Sequence, residues 1–133
     1  MRTNRTARWD SYPAERAMLA DSPAAQIVAP LAPAGGEPVV VKGSVDPFIG
    51  TPLEQMLAGN GIRDLAVAGV ATNLAVESAV RHAGDSGFRV TVVEDLCASF
   101  SPAAHDFSVG TILPMFGSVV SSDDYLASIA TGA

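Results

Sequence analysis

A chain of 133 residues with 48% hydrophobic and 17% charged residues has the composition of one globular domain with a sizeable core, not of a disordered segment. Its net charge of −6 argues against a surface that tracks nucleic-acid phosphates, and no apolar run is long enough to span a bilayer. The polar start Met1–Arg5 carries no secretory pattern, and a single cysteine excludes an internal disulfide framework and fits a reducing cytosol, so a cytoplasmic protein is expected.

Arg2, Arg5, Arg8 and Arg16 supply half of the eight basic residues. Such an arm can meet an acidic partner, but a solvated terminus is the preferred reading. Residues 1–20 show weak periodicity and are assigned no element. Asp21-Ser22-Pro23 joins a cap to a proline at a first helical position, which predicts one or two helical turns over Ala24–Val28. Pro30, Pro33, Gly35 and Gly36 then mark a loop. Residues 1–35 are therefore read as an arm with a short helix, and 36–133 as the α/β domain.

Pro38-Val39-Val40-Val41-Lys42 predicts a short strand ending in a lysine, and its unbroken β-branched run predicts burial on both faces of a parallel sheet. Thr51-Pro52-Leu53-Glu54 has the form of a capping box with proline at N1. Leu53, Met56 and Leu57 follow as an apolar stripe, and Gly59-Asn60-Gly61 reads as helix-stop chemistry. It is not a phosphate loop, since no Gly-Lys-Ser/Thr follows. Leu65–Val70 is a second strand. A helix from about Leu74 to Ala83 turns Val76, Ala79, Val80 and Ala83 inward, and Gly84 and Gly87 close it. Phe88–Val93 is a third strand ending at Glu94-Asp95. Ser101-Pro102 opens a helix that Pro114 stops. Gly117–Ser121 is a fourth strand, and Ser122 caps a final helix through Ile129.

The order β-α-β-α-β-α-β-α implies right-handed crossovers and a doubly wound, Rossmann-like parallel sheet with helices on both faces. Ligands in such sheets lie beyond the carboxyl ends of the strands. Here those ends carry Lys42, the turn Val70-Ala71-Thr72-Asn73, and Glu94-Asp95.

Three blocks resemble the isochorismatase-like, or cysteine hydrolase, superfamily. They are Val39–Leu53, with its lysine and Gly-Thr helix start; Gly69–Ser78, similar to the nucleophile block; and Val92–Ser99, with its Asp-x-Cys-Ala-Ser end. The likeness runs from about Gly36 to Leu126. It implies hydrolysis of C–N bonds in small amides, or in a smaller branch cleavage of a vinyl ether, with a triad of aspartate, lysine and cysteine. It also implies a non-proline cis peptide, which would be Val70–Ala71, shaping the oxyanion hole.

Carried over by position, Lys42 stands at the family lysine and Ala75 at the family cysteine. A thiol in that first helical turn would be activated; a methyl group cannot attack. The strand bearing the family aspartate has no counterpart, and Asp10, with no apolar strand before it, is not accepted as its replacement. The chain is thus read as an N-terminally truncated version of the fold. Val70, Ala71, Asn73, Leu74 and Phe48 are the expected substrate-binding positions, Phe48 being equally readable as core. Cys97 matches a non-catalytic family cysteine. Asp95 reads as a cap or loop-bonding residue. His82, about 10 Å of helix rise beyond Ala75, is not expected to be the site's base. His105, beside Asp106, gives only a weak metal signal, and no metal or cofactor is implied.

Without the aspartate strand, Val39–Val41 would be a bare sheet edge, so a homo-oligomer or a hetero-oligomer with a chain completing the sheet is expected. No nucleic-acid or membrane partner is expected. Two functions remain open: hydrolysis of a small amide or vinyl ether without a covalent cysteine, the acid coming from a partner chain, or a non-catalytic binding or regulatory subunit.

Overall fold

The computed structural model describes residues 22–131, so the four N-terminal arginines, Asp10 and the cap expected at Asp21 lie outside the described residues. The chain divides into two compact units at Val39/Val40. In the first, Ala24–Val28 is not helical as expected. Two 3₁₀ turns form instead, Pro23–Ala25 and Ala29–Leu31, because Gln26 is extended (φ −78°, ψ 143°) and each proline starts a turn of its own.

In the second unit, helix α1 (Leu53–Gly59) begins beside a proline. The reciprocal capping box does not form; Thr51 Oγ1 receives the Leu53 N–H at 3.3 Å and donates to the Pro47 carbonyl at 2.5 Å. The helix ends as its glycines predict. Gly61 takes φ +69°, and the Ile62 N–H returns to the Leu57 carbonyl. Strand β1 (Asp64–Val70) alternates, with Leu65 and Val67 turned towards the core and Ala66, Ala68 and Val70 exposed.

A wide π-helical turn, Thr72–Val76, leads into helix α2 (Glu77–Asp85). Val76, Ala79, Val80 and Ala83 are all buried, as their spacing predicts. Gly84 does not close α2 but lies within it against Phe116, where a Cβ would come 3.1 Å from the Phe116 carbonyl oxygen. Gly87, at φ +84°, makes the turn. Strand β2 (Arg89–Ala98) follows, then helix α3 (Pro102–Phe107), which Ser101 caps by accepting the Ala104 N–H at 3.3 Å. Wide and 3₁₀ turns continue α3 to Met115, past Pro114. Strand β3 (Ser118–Val120) and helix α4 (Ser122–Thr131) end the described chain. Ser121, not Ser122, caps α4, accepting the Asp124 N–H at 3.1 Å.

The sheet has three parallel strands in the order β1-β2-β3. The expected strand at Val39–Val41 is a correction. That run pairs with no strand among the described residues, and Val39 and Val41 are 56% and 79% exposed. Composition supplies strand propensity, but only a neighbouring ladder makes a strand. Among the described residues β1 and β3 each pair only with β2, so β1 is one of two unpaired sheet edges. Val92 and Val93, adjacent on β2, are both buried, so both faces of the central strand are covered there; α4 packs against β2. The core gathers Phe48, Val76, Val80, Phe88, Val92 and Leu113. Each fully buried aliphatic side chain contributes about 1.5–3 kcal/mol.

β2 also corrects the expected strand end at Glu94-Asp95. It leaves β1 after the pair Val67–Val92 and rejoins at Gly69–Cys97, with Val93–Leu96 opposite Ala68 alone, Val93 staying paired with Val120 of β3. The Cys97 thiol donates to the Val93 carbonyl at 3.3 Å, tying the base of the excursion. Asp95 accepts the backbone N–H and the hydroxyl of Ser122 at 2.7 and 2.5 Å, which holds its carboxyl below the usual aspartate range. Asp95, read as a cap or loop-bonding residue, thus bonds the start of α4 beside the cap residue Ser121.

Candidate active site

The carboxyl end of β1 passes directly into the turn that carries the candidate residues. The Val70–Ala71 peptide is cis, as the resemblance implied. Val70 is 66% exposed, Ala71 and Thr72 are buried, and Asn73, Leu74 and Ala75 are half-buried along the turn. The Ala71 carbonyl accepts the Leu74 N–H at 3.0 Å and the Val76 N–H at 3.3 Å.

Three side-chain bonds tie this turn and the first residue of α2 to one later segment. Thr72 Oγ1 lies 2.8 Å from His105 Nδ1, and Ser99 donates to Asn73 Oδ1 at 2.6 Å. Ser108, itself buried, donates to Glu77 Oε2 at 2.6 Å. Glu77 also holds Arg81 one helical turn on, and Arg81 lies over the Phe116 ring. Thr72 beside His105 has the pairing of a nucleophile with its base, but Thr72 is fully buried and presents no oxygen to a ligand. The pair is structural.

Lys42, the only lysine in the chain, stands on a separate loop. Its Nζ donates to the Ser44 and Val45 carbonyls at 2.8 and 3.1 Å. Partial desolvation draws its pKa below the ordinary lysine value, and nearby Asp46 opposes that. Phe48 is a core residue. Its ring stacks on His82 with centroids 4.5 Å apart and an interplanar angle of 18°, and packs near Phe88. No periodic signal in the sequence points to the partner that anchors this loop: Asp46 Oδ2 meets His82 Nδ1 at 2.8 Å, across 36 positions.

The structure thus gathers Val70, Ala71, Asn73, Leu74 and Ala75 on one turn, keeps Lys42 on a loop tied to α2, and buries Phe48. Cys97 is buried, and desolvation pushes its thiol above the ordinary cysteine value. It is inert by the same physics that would activate a thiol at position 75. In the native chain at pH 8, iodoacetamide should leave Cys97 unmodified over a period that fully alkylates it in denaturant; equal rates would show the thiol is open. Among the described residues no group of three or more His, Cys, Asp and Glu side chains is placed to hold a metal ion, and no helix is long and apolar enough to cross a membrane.

Comparison with known proteins gives a consistent result. The family model described as Isochorismatase domain matches residues 3–124, reaching well upstream of Gly36, from which the likeness in the sequence is expected to run. The chain is 34% identical over 121 residues to an N-carbamoylsarcosine amidase of Arthrobacter sp., covering 91% of this chain and 46% of that one. It is 33% identical over 106 residues to a ureidoacrylate amidohydrolase of Variovorax paradoxus, covering 79% and 42%. An isochorismatase family protein from Desulfovibrio vulgaris superposes with a TM-score of 0.77 at 31% identity, covering 84% of this chain and 60% of that one. The chain spans about half the length of the curated relatives it matches.

Proposed function

This chain belongs to the isochorismatase family, and from that premise we propose that it binds a small amide-bearing molecule at the Val70–Ala75 turn without covalent turnover. One observation supports the reading: Ala75, a methyl group in the turn after β1, stands at the position that the resemblance assigns to the nucleophile. Covalent catalysis needs an attacking atom, and Cys97, buried and held protonated, cannot lend one. The class of ligand follows the two amide-cleaving relatives, whose names specify ureido or carbamoyl compounds. N-carbamoylsarcosine carries a carboxylate as well as a carbamoyl group, and the Lys42 ammonium is the complementary charge.

Calorimetric titration with N-carbamoylsarcosine tests this. Binding with no ammonia release is the expected result. Lys42→Met should weaken it about tenfold, the loss of one charge-assisted hydrogen bond. Ammonia release by the chain alone, at a rate proportional to protein, would overturn the reading.

A second reading has its own observation in the unpaired β1 edge. There, a strand from another copy or another chain completes the sheet and supplies a carboxylic acid, giving a hydrolase that needs no thiol. A monodisperse monomer by light scattering, unchanged by concentration, would count against it.

A further inference from the structure

We propose that His82 is the positioning residue of the Lys42 loop, an inference that rests on the ligand site read above only for its consequence in binding. The loop from Lys42 to Thr51 is knit mainly to itself. Lys42 donates to Ser44 and Val45, the Ser44 hydroxyl lies 2.7 Å from the Asp46 carbonyl, Asp46 Oδ1 accepts the Phe48 N–H at 2.8 Å, and Thr51 donates to Pro47. Such a knot keeps its shape but does not by itself say where it sits on the domain.

His82 meets it twice. One face of the imidazole stacks on the buried Phe48 ring, and Nδ1 bonds Asp46 Oδ2 at 2.8 Å. The same carboxylate thereby holds the loop's own backbone through one oxygen and the domain through the other. His82 is fixed in turn by α2, the helix that grows out of the turn at Ala75. The Lys42 ammonium and the Val70–Ala75 turn, which share no direct side-chain bond, are therefore held in relation through α2, His82 and Asp46. Because the aromatic contact and the polar contact use different parts of the ring, they are separable by substitution.

The test has two arms. In the first, amide hydrogen exchange is measured without any ligand. His82→Phe keeps an aromatic ring against Phe48 and removes Nδ1. It should speed exchange of the Phe48 amide and its neighbours from Ser44 to Ile49 about tenfold, and leave α2 unchanged. His82→Gln, whose amide can donate to Asp46, should restore protection. Unchanged exchange in His82→Phe overturns the proposal, whatever the ligand result. In the second arm, N-carbamoylsarcosine affinity is measured in a double-mutant cycle. His82→Phe should cost about tenfold alone and nothing further in a Lys42→Met background. Additive losses would mean that His82 acts on general stability and not through Lys42, and would also overturn it. If the unsubstituted chain binds no probe, the ligand reading fails and the exchange arm decides the positioning role alone.

Discussion

A cysteine substituted for Ala75 will be alkylated readily and will still not hydrolyse amides. The thiol would enter the half-buried first turn after β1, at the start of a helix, a place that favours a thiolate. Iodoacetamide should label it within minutes while Cys97 stays silent. Turnover needs more than a nucleophile, since a base must take its proton and return one to the leaving nitrogen. The described carboxylates bonded around the turn and the Lys42 loop are committed elsewhere: Asp46 to His82 and Phe48, Glu77 to Arg81 and Ser108, Asp95 to Ser122. His105 is taken by Thr72. Removing one member of a catalytic set that acts as a unit costs on the order of 10⁴–10⁶-fold in rate. Ammonia release from N-carbamoylsarcosine or nicotinamide should therefore stay at the buffer rate. Release that disappears on alkylation would show that an acid–base partner is present after all.

Gly117→Ala should be the most damaging single methyl group that can be added to the domain. A Cβ at Gly117 would stand 2.4 Å from the Val90 carbonyl oxygen and 3.0 Å from its carbon. The obstacle is the backbone of the central strand, so no rotamer change relieves it. Val90 is buried, and the Gly117 N–H is bonded to Leu113. Either β3 parts from β2 or the turn before it unravels. Overpacking of this kind costs about 3 kcal/mol or more, which lowers Tm by roughly 12 °C or more in a domain of this size. Gly84→Ala, 3.1 Å from the Phe116 carbonyl oxygen, is the milder companion. If Gly117→Ala melts within 3 °C of the unsubstituted chain, β3 is not packed as described.

What was legible in the sequence follows from what repeats. The stripe Val76, Ala79, Val80, Ala83 has helical period and faces the core as read. The apolar run before Val70 and the cap-proline pair Ser101-Pro102 are local signals, and both form the elements they predict. The turn bearing Ala75 is legible because strand, turn and helix start are adjacent in the chain. Val39–Val41 failed for the opposite reason: a strand depends on a neighbour that composition does not contain. The bonds Asp46–His82, Thr72–His105 and Ser99–Asn73 join positions 26 to 36 residues apart and leave no periodic trace. In the sequence His82 is only a residue too far along the helix from Ala75 to serve as a base. Its bond to the lysine's own loop could be seen only once the helix was folded against it.

The looped-out stretch of β2 has an electrostatic consequence at the mouth of the sheet. Had the pairing Val67–Val92 continued in step, Glu94 would stand opposite Gly69 and Asp95 opposite Val70, beside the turn that carries Ala75. Two negative charges there would repel an anionic ligand by about 1 kcal/mol each even at water-like screening. The excursion takes both carboxylates out of pairing with β1 and puts Cys97 and Ala98, small and uncharged, opposite Gly69 and Val70. In a chain of net charge −6, the change of register pairs the end of β1 with two uncharged side chains in place of two acidic ones.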